Sequence, residues 1–469
     1  MKAMKHIIWL AALALTAATW SACSNKDEFT VPEQPAQART FTVSTTLSPR
    51  DGGVATRSTM TDNGDGSISA AWEVDDQIWV RYRNTSDNLV TTTATVTAVN
   101  PSTKAATITV SLTDPVNGGE INFGYPISYY ERSKDLSTDQ LGTLDDINAN
   151  YAAIFCVRNM TVSGSDVTLP AMTMHPETCI WKFSFTDGSN DITSAITKLV
   201  ISFSNSEDNE TYIVTPSLQS TIYVSLLKTR FPSTVSITAQ TATGVYRKTA
   251  ASITLEDGYT YTTTGFALKK AEVGKVFGAD GNIYDNATAA TTAGTSAVAM
   301  ITYVGTNTGE ASPYNHGLAL AMSDANAGSN CAWTTSSGST VHSQLYSTSS
   351  FTSESGVQYN AAQNDVTYPA FKYAIANNGI SAPTGCSDWF LASGYQWDQM
   401  ISAAGDYNAL RSGFEGVGGT NMRGDYYWSS SEESGYYAWA YYFFSGYGGG
   451  KWAKNSKVDG YYVRSAIAF

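Results

Sequence analysis

Short runs of β-branched and aromatic residues recur along the chain, and they constrain its fold more than any other feature. Residues 198–203, 221–227 and 235–238 are typical examples, and no helical period is sustained between such runs. β-Branched and aromatic side chains favour strands, whereas small polar residues favour turns. The pattern therefore predicts a mostly β protein built from antiparallel sandwiches, without long helices.

Length and charge limit the organisation of the chain and its partners. At 469 residues the chain is too long for one ordinary core, so we expect two or three domains. Charged residues make up only 15% of the sequence, and the formal net charge is −13. A chain of this kind lacks the basic surface that neutralises a phosphate backbone. We therefore expect no nucleic-acid partner.

The first 22 residues have the form of an export signal. Two lysines precede an apolar run over residues 7–19, which is too short to span a bilayer as a stable helix. Small residues then lead to Cys23. We predict a signal peptide over residues 1–22 and a tether over residues 23–39, whose composition offers too little apolar surface to fold.

The residues around Cys23 resemble a lipobox, in which the cysteine is acylated and becomes the mature N-terminus. Trp20 stands where that motif usually has leucine. A lysine and two acidic residues at 26–28 resemble the surface-export signal of lipoproteins in fimbriated Gram-negative anaerobes, although an ordinary solvated tether would look the same. The resemblance implies a palmitate-type lipid on Cys23 that anchors the protein in the outer membrane at the cell surface.

Residues 40–268 carry several motifs in a fixed order. A strand-like run is followed by Arg57 in a Thr-Arg pair, then by Trp72 before an acidic turn, and finally by Gly258 at the head of an aromatic strand. In this order the motifs resemble the fimbrillin, or type V pilin, family. The resemblance implies a pilin body, and the strand pattern predicts two β-sandwiches in series with a boundary near residues 150–180.

The fimbrillin resemblance also implies a mode of assembly. In that family an arginine-directed protease removes the first strand, and the opened groove accepts a strand from the next subunit. Here the expected first strand, residues 40–47, precedes two candidate cleavage sites, Arg57 and, as the alternative, Arg50. The implied partners are other fimbrial subunits, although Arg57 could also be an ordinary loop arginine.

The end of the chain is rich in aromatic residues separated by glycine and serine. Over residues 273–469 the sequence resembles the C-terminal module of Lcl-type adhesins, which is related to the C-type lectin fold. This implies an α+β domain after a linker at 268–272, and the spacing of apolar residues predicts helices over 368–377 and 396–404 and strands over 296–304 and 317–322. The matching residues are Trp389, Leu391, Ser393, Trp397, Trp428, Ser429, Ser430, Glu432, Trp439, Arg464 and Phe469.

Some of these aromatic residues are candidates for a ligand surface. Tyrosine and tryptophan rings stack on the apolar faces of sugars. Trp428 and Trp439 lie on the motifs, so we expect them in the core, and the module lacks the Glu-Pro-Asn or Gln-Pro-Asp triplet of calcium-dependent sugar binding. The candidates, which flank glycine- and serine-rich turns and could equally be structural, are Tyr436, Tyr437, Tyr447 and Trp452.

The sequence gives little support for catalysis or for a bound metal or cofactor, and it leaves the state of the cysteines open. Convergent catalytic, metal and phosphate motifs do not occur in the sequence, so we expect no enzyme activity, bound metal or cofactor. The stretch 62–66 fits a hairpin turn better than a calcium loop. Export would permit disulfides among four cysteines, with three possible pairings, whereas buried free thiols fit equally well. The four cysteines in question are Cys156, Cys179, Cys331 and Cys386.

Together these patterns predict a fimbrial subunit of the tip type at the cell surface. Its pilin body would carry a distal lectin-like domain that binds a glycan or a surface protein. Because residues 462–469 are expected to form an integral strand of that domain, the chain could accept a strand but not donate one. The alternative is a monomeric surface lipoprotein that captures glycan for uptake.

Overall fold

The computed structural model describes residues 39–469 apart from 49–58, 206, 208, 337, 339–365, 445 and 447–448. It is mostly β, and nearly all of its strand pairs are antiparallel, which confirms the predicted fold class. In the part of the chain so described, no helix is both long and apolar enough to cross a membrane.

The first module, residues 40–176, is an eight-stranded sheet that curls around its own core. Its strand order is β11-β1-β6-β5-β4-β7-β8-β12, and the two ends of the sheet approach each other, because the sulfurs of Cys156 and Met172 are 3.9 Å apart in the core. The elements are β1 (Thr40–Ser48), β2 (Thr59–Asp62), β3 (Ile68–Ala71), β4 (Gln77–Arg83), β5 (Leu89–Val99), β6 (Ala106–Thr113), β7 (Glu120–Tyr125), α1 (Ile127–Tyr130), α2 (Leu144–Asn150), β8 (Ile154–Asn159), β9 (Thr161–Ser163), β10 (Asp166–Thr168), β11 (Met172–Thr173) and β12 (His175–Pro176).

The second module, residues 179–271, packs two sheets around one core. The sheets have the orders β16-β13-β19 and β15-β14-β17-β18-β20, and Trp181, Phe183 and Phe203 lie between them. The strands are β13 (Cys179–Thr186), β14 (Ile196–Ser204), β15 (Asn209–Val214), β16 (Ile222–Leu226), β17 (Ser233–Thr241), β18 (Gly244–Ile253), β19 (Thr260–Ala267) and β20 (Lys269–Lys270).

The segment expected to be a linker, residues 268–272, packs against both neighbouring modules: Leu268 lies in the core of the second module, and Ala271 lies in a cluster with Phe277 of the C-terminal module. Leu268 is buried, β20 pairs with β18, and the amide of Ala271 donates to the carbonyl of Val245 at 2.7 Å. The connecting segment is therefore packed, because a charged sequence can form an edge strand when every second side chain points to solvent.

The C-terminal module, residues 273–469, is α+β, and its predicted helices and strands are confirmed within a few residues. The principal sheet has the order β22-β21-β23-β24-β31-β26, beside the smaller sheets β27-β28-β29 and β25-β30. The elements are β21 (Val276–Gly278), β22 (Ile283–Tyr284), α3 (Ala287–Thr292), β23 (Ala297–Val304), β24 (Gly317–Ala321), β25 (Cys331–Ala332), α4 (Pro369–Ala376), β26 (Phe390–Leu391), α5 (Gly394–Ala403), α6 (Tyr407–Gly416), β27 (Tyr426–Glu432), β28 (Tyr437–Tyr442), β29 (Lys451–Ser456), β30 (Gly460–Tyr461) and β31 (Ser465–Ala468).

Arg247 of β18 joins the second module to the C-terminal module. Its side chain is buried, and its guanidinium donates to the backbone carbonyls of Thr384 and Gly385, the latter at 3.0 Å. The ring of Phe277 lies 5.5 Å from the guanidinium carbon. Because a buried guanidinium needs these acceptors, the contact holds the C-terminal module in place on β18.

Candidate strand-acceptor groove and ligand surface

Strand β1 is an internal strand of the first sheet. It pairs with β6 in antiparallel register from Thr40 to Leu47, and its last two residues pair in parallel with β11. Val43, Thr45 and Leu47 point into the core, while the residues between them are exposed. A strand that lies between two others leaves two unpaired edges when it is absent, so the place of β1 has the form of an acceptor groove.

The candidate cleavage sites, Arg50 and Arg57, lie outside the described residues, as does the lipidation candidate Cys23. The structure does describe both ends of the segment that contains the two arginines: β1 ends at Ser48, and β2 begins at Thr59. A cut after Arg57 would therefore separate β1 from β2 without shortening either strand.

Strands β2 and β3 form a hairpin that belongs to a different core from β1. They pair only with each other, and Met60 and Ile68 pack in a cluster with Ile180 of the second module. The turn between them occupies residues 63–67, and the amide of Gly64 donates to the Asp62 carboxylate at 2.9 Å. The predicted hairpin turn at 62–66 is confirmed.

The carboxylate of Asp62 also attaches this hairpin to the second module. Its Oδ2 accepts hydrogen bonds from the ammonium of Lys182 and from the hydroxyl of Tyr223, the latter at 2.6 Å. These two donors, with Lys182 contributing most, lower the pKa of Asp62 to about 2. Burial raises the pKa of Tyr223, and the neighbouring carboxylate raises it further. The hairpin is thus held independently of β1.

The C-terminal strand is integral to its module, as the sequence predicts. β31 lies between β24 and β26, and the ring of Phe469 is buried beyond it. A Cβ at Gly317 would lie 2.2 Å from that ring, so only glycine allows the strands to approach here. Because β31 is paired on both sides, this strand could leave only by breaking the central sheet.

The aromatic candidates do not form one site. Tyr436 lies in the turn between β27 and β28 and is 61% exposed, and Tyr437 is the first residue of β28 and is 42% exposed. Trp452, by contrast, is half-buried: its ring meets Tyr441 edge-on at 5.1 Å, and its Nε1 donates to Asp398 at 2.9 Å. Trp452 is less accessible to a ligand than the two tyrosines because α5 covers its end of the sheet. Tyr447 lies outside the described residues.

Trp428 and Trp439 are buried, as expected, but sequence reasoning missed a row of rings across the neighbouring strands. Tyr426 stacks on Tyr442 at 4.3 Å between ring centroids, and the row extends to Tyr461 on one side and Phe444 on the other. The cross-strand pairing of Tyr426 with Tyr442 creates this row. Because the rings cover one another's faces, Tyr436 and Tyr437 are better placed to stack on a sugar.

The four cysteines are free thiols in the structure; Cys156 and Cys179 are buried, and Cys331 and Cys386 are half-buried. Cys156 and Cys179 lie in the cores of different modules. Burial raises the pKa of Cys156 to about 11 and those of Cys179 and Cys331 to about 12. At neutral pH these three thiols are therefore protonated and unreactive.

No family model matches the chain, and no curated protein matches it. Among solved structures, the chain is similar to a candidate cell adhesion protein of Bacteroides ovatus, at 12% identity over 50% of this chain and 97% of that one, with a TM-score of 0.27. Similar proteins of Bacteroides uniformis and Bacteroides fragilis, also described as candidate cell adhesion proteins, are 14% and 11% identical. They match 48% and 47% of this chain and 98% and 91% of their own, each with a TM-score of 0.26. At these scores the similarities do not identify the function of this chain.

Proposed function

We propose that this protein is a cell-surface adhesion subunit that accepts a β-strand from a neighbouring subunit in the place of β1. The solved structures reported above are described as candidate cell adhesion proteins, and we extend that role to this chain as part of the proposal. The observation that carries the proposal is the position of β1. This strand is paired on both sides, and the segment with both candidate cleavage sites connects it to the hairpin of β2 and β3.

The groove specifies the strand that it would accept. Phe41, Val43, Thr45 and Leu47 face the core at alternate positions, and the backbone of β1 pairs with β6 along eight residues. An incoming strand therefore needs apolar or small residues at four alternate positions, because a shift of one residue would turn all of them to solvent. Backbone hydrogen bonds supply affinity in this mode, and the alternate side chains supply register.

The pairing of the C-terminal strand bears on the position of this subunit within a fimbrium. Strand β31 is paired with β24 and β26, so it is a poor donor to another subunit. We infer that a subunit which accepts a strand without donating β31 would end a polymer, with the C-terminal module, proposed to be lectin-like, at the distal tip. Tyr436 and Tyr437 are its proposed ligand contacts, and a lipid on Cys23 would hold the precursor in the outer membrane.

N-terminal sequencing of the protein in purified fimbriae tests this proposal. The assembled form should begin at Ser58, and Arg57→Ala should block both the cut and incorporation into fimbriae, whereas the matched control Arg50→Ala should assemble normally. A form that still starts at Cys23 within intact fimbriae would rule out strand replacement. Permanently unassembled protein would instead favour the monomeric lipoprotein.

A further inference from the structure

Three aromatic rings are stacked on the outer face of β4, β7 and β8 in the first module. The ring of Tyr130 lies between those of Trp79 and Phe155, at centroid distances of 5.2 and 5.8 Å and interplanar angles of 19° and 24°. The Tyr130 hydroxyl is within hydrogen-bonding distance of the Ile154 carbonyl, at 2.8 Å, and of the Glu177 carboxylate, at 2.7 Å. The rings therefore form a fixed apolar wall on the outside of the sheet.

A glycine makes room for this wall. Gly124 of β7 is opposite both Trp79 and Phe155 in the strand pairing, and a Cβ there would lie 2.5 Å from the ring of Tyr130. Any other residue would push the tyrosine off the sheet. The stack thus depends on close approach of a ring to the backbone and is part of the fold rather than a chance surface contact.

Two cavities lie along the wall and share Trp79, Arg81 and Tyr130 in their linings. Their volumes are about 560 and 540 Å³, within the range of small-ligand sites. Together they form a groove, here named the β4 groove, that runs beside Arg81 from the end of β4 towards the segment after α1. Its lining does not include β1, Tyr436 or Tyr437.

One of the two cavities of the β4 groove has an excess of positive charge in its lining. Arg81, Arg132 and Lys134 line this cavity, and none of them forms an ion pair among the described residues. The acid in that cavity, Asp135, accepts hydrogen bonds from the amide and hydroxyl of Ser137, at 2.8 and 2.7 Å, and offsets one of the three positive charges. In a chain with a net charge of −13, the remaining excess of positive charge in this cavity is a local reversal of sign.

The other cavity contains an arginine, Arg83, that does form an ion pair and can be compared with Arg81. Arg83, two residues after Arg81, donates to the carbonyl of Asp87 at 2.8 Å and to its carboxylate at 3.3 Å. Arg81 instead has its guanidinium carbon 6.0 Å from the ring centroid of Trp79. Its hydrogen-bond donors are therefore available to an anion that lies against the aromatic wall.

We propose that the β4 groove binds an anionic saccharide, carboxylated or sulfated. The half-buried ring of Phe155, at the end of the stack, contacts the apolar C–H groups of the sugar, while Arg81 and the pair Arg132 and Lys134 hold its anionic groups. A polyphosphate is disfavoured because it offers no apolar C–H face to an aromatic ring, and because a polyanion longer than the groove also meets the acidic surface around it. This site goes beyond the proposed strand acceptance and does not depend on it.

The test is equilibrium binding to the full-length protein, measured by calorimetry. The probes are a glucuronate-containing oligosaccharide, a sulfated one and a neutral one of equal length, together with a single-stranded DNA oligonucleotide. We expect the carboxylated or the sulfated probe to bind and the neutral probe and the DNA not to bind; which anionic probe binds distinguishes the two sources of charge. Binding should weaken as salt shortens the Debye length below about 8 Å.

Variants then assign the binding to the groove. Arg81→Gln should weaken binding about tenfold, the loss expected for one charged hydrogen bond, and Arg132→Gln with Lys134→Gln should weaken it by at least as much. Two controls lie outside the groove and keep the net charge comparable: Lys104→Gln for the single variant, and Lys104→Gln with Lys372→Gln for the double variant. The inference is overturned if the neutral probe or the DNA binds as tightly, if no anionic probe binds, or if the controls weaken binding as much as the groove variants do.

Discussion

Asp324 and Arg464 form a buried ion pair in which Nε of Arg464 donates to Oδ1 of Asp324 at 2.8 Å. The hydroxyl of Tyr427 adds a hydrogen bond to Oδ2 at 2.9 Å. The three residues come from the loop after β24, from β27 and from the residue before β31. The pair therefore joins the principal sheet of the C-terminal module to its aromatic sheet.

Removal of the Asp324 charge should destabilise the C-terminal module strongly. Asp324→Asn leaves the Arg464 guanidinium buried without a counter-charge, which costs about 3 kcal/mol or more. Urea unfolding, followed by near-UV circular dichroism, measures the loss. The exposed Asp388→Asn is the matched control, and an equal effect of both substitutions would show that the ion pair is unimportant.

Asp62 should stabilise the hairpin on the second module in a pH-dependent way. Its pKa is about 2 in the folded protein, below its ordinary value of 3.8, so its contribution is complete above that ordinary value and disappears as the pH falls from about 4 to about 2. Asp62→Asn should lower the free energy of unfolding by about 1.5 kcal/mol at neutral pH. Chemical unfolding at a series of pH values should show the wild-type and variant curves converging in acid.

The control for this experiment is Asp166→Asn, an exposed acid in β10. It should shift the unfolding free energy little at any pH. A difference between wild type and Asp62→Asn that stayed constant down to pH values near 2 would mean that the carboxylate contributes through packing and not through its charge.

The buried thiols should be protected in the native protein. Because Cys156 and Cys179 are buried, and burial raises their pKa values to about 11 and about 12, these two thiols remain protonated at mildly alkaline pH and should react with a colorimetric disulfide reagent only after unfolding. In denaturant, all four cysteines after Cys23 should react without prior reduction. Fewer than four reactive thiols would favour the disulfide interpretation.

The exposed tyrosines should carry any glycan affinity of the C-terminal module. Replacing Tyr436 and Tyr437 together with alanine should weaken retention severalfold without unfolding, since each stacked ring contributes on the order of 1 kcal/mol. Trp452→Phe is the control, because it keeps a ring on Tyr441 while removing the bond to Asp398. A glycan array recognised by the wild type provides the measurement, and unchanged binding would make the tyrosines structural.

Local patterns in the sequence account for much of the fold. Alternation along β1 predicts which side chains face the core, and Ser393 with Gln396 forms the capping box that begins the predicted helix α5. Alternation and helix capping depend on neighbours within a few residues, so a single sequence contains that information. The buried Trp428 and the integral strand β31 are expected from the family resemblance and not from local pattern.

Only the tertiary structure decided which distant residues meet. Trp452 is half-buried because Asp398 of α5 lies beside it, and the partner of Arg464 is Asp324, which no local pattern singles out. Arg81 and Lys134 share a groove because β4 pairs with β7, which leads into α1. Strand register and helix docking bring such residues together across tens of positions, and no period of two or of 3.6 residues reports on contacts at that separation.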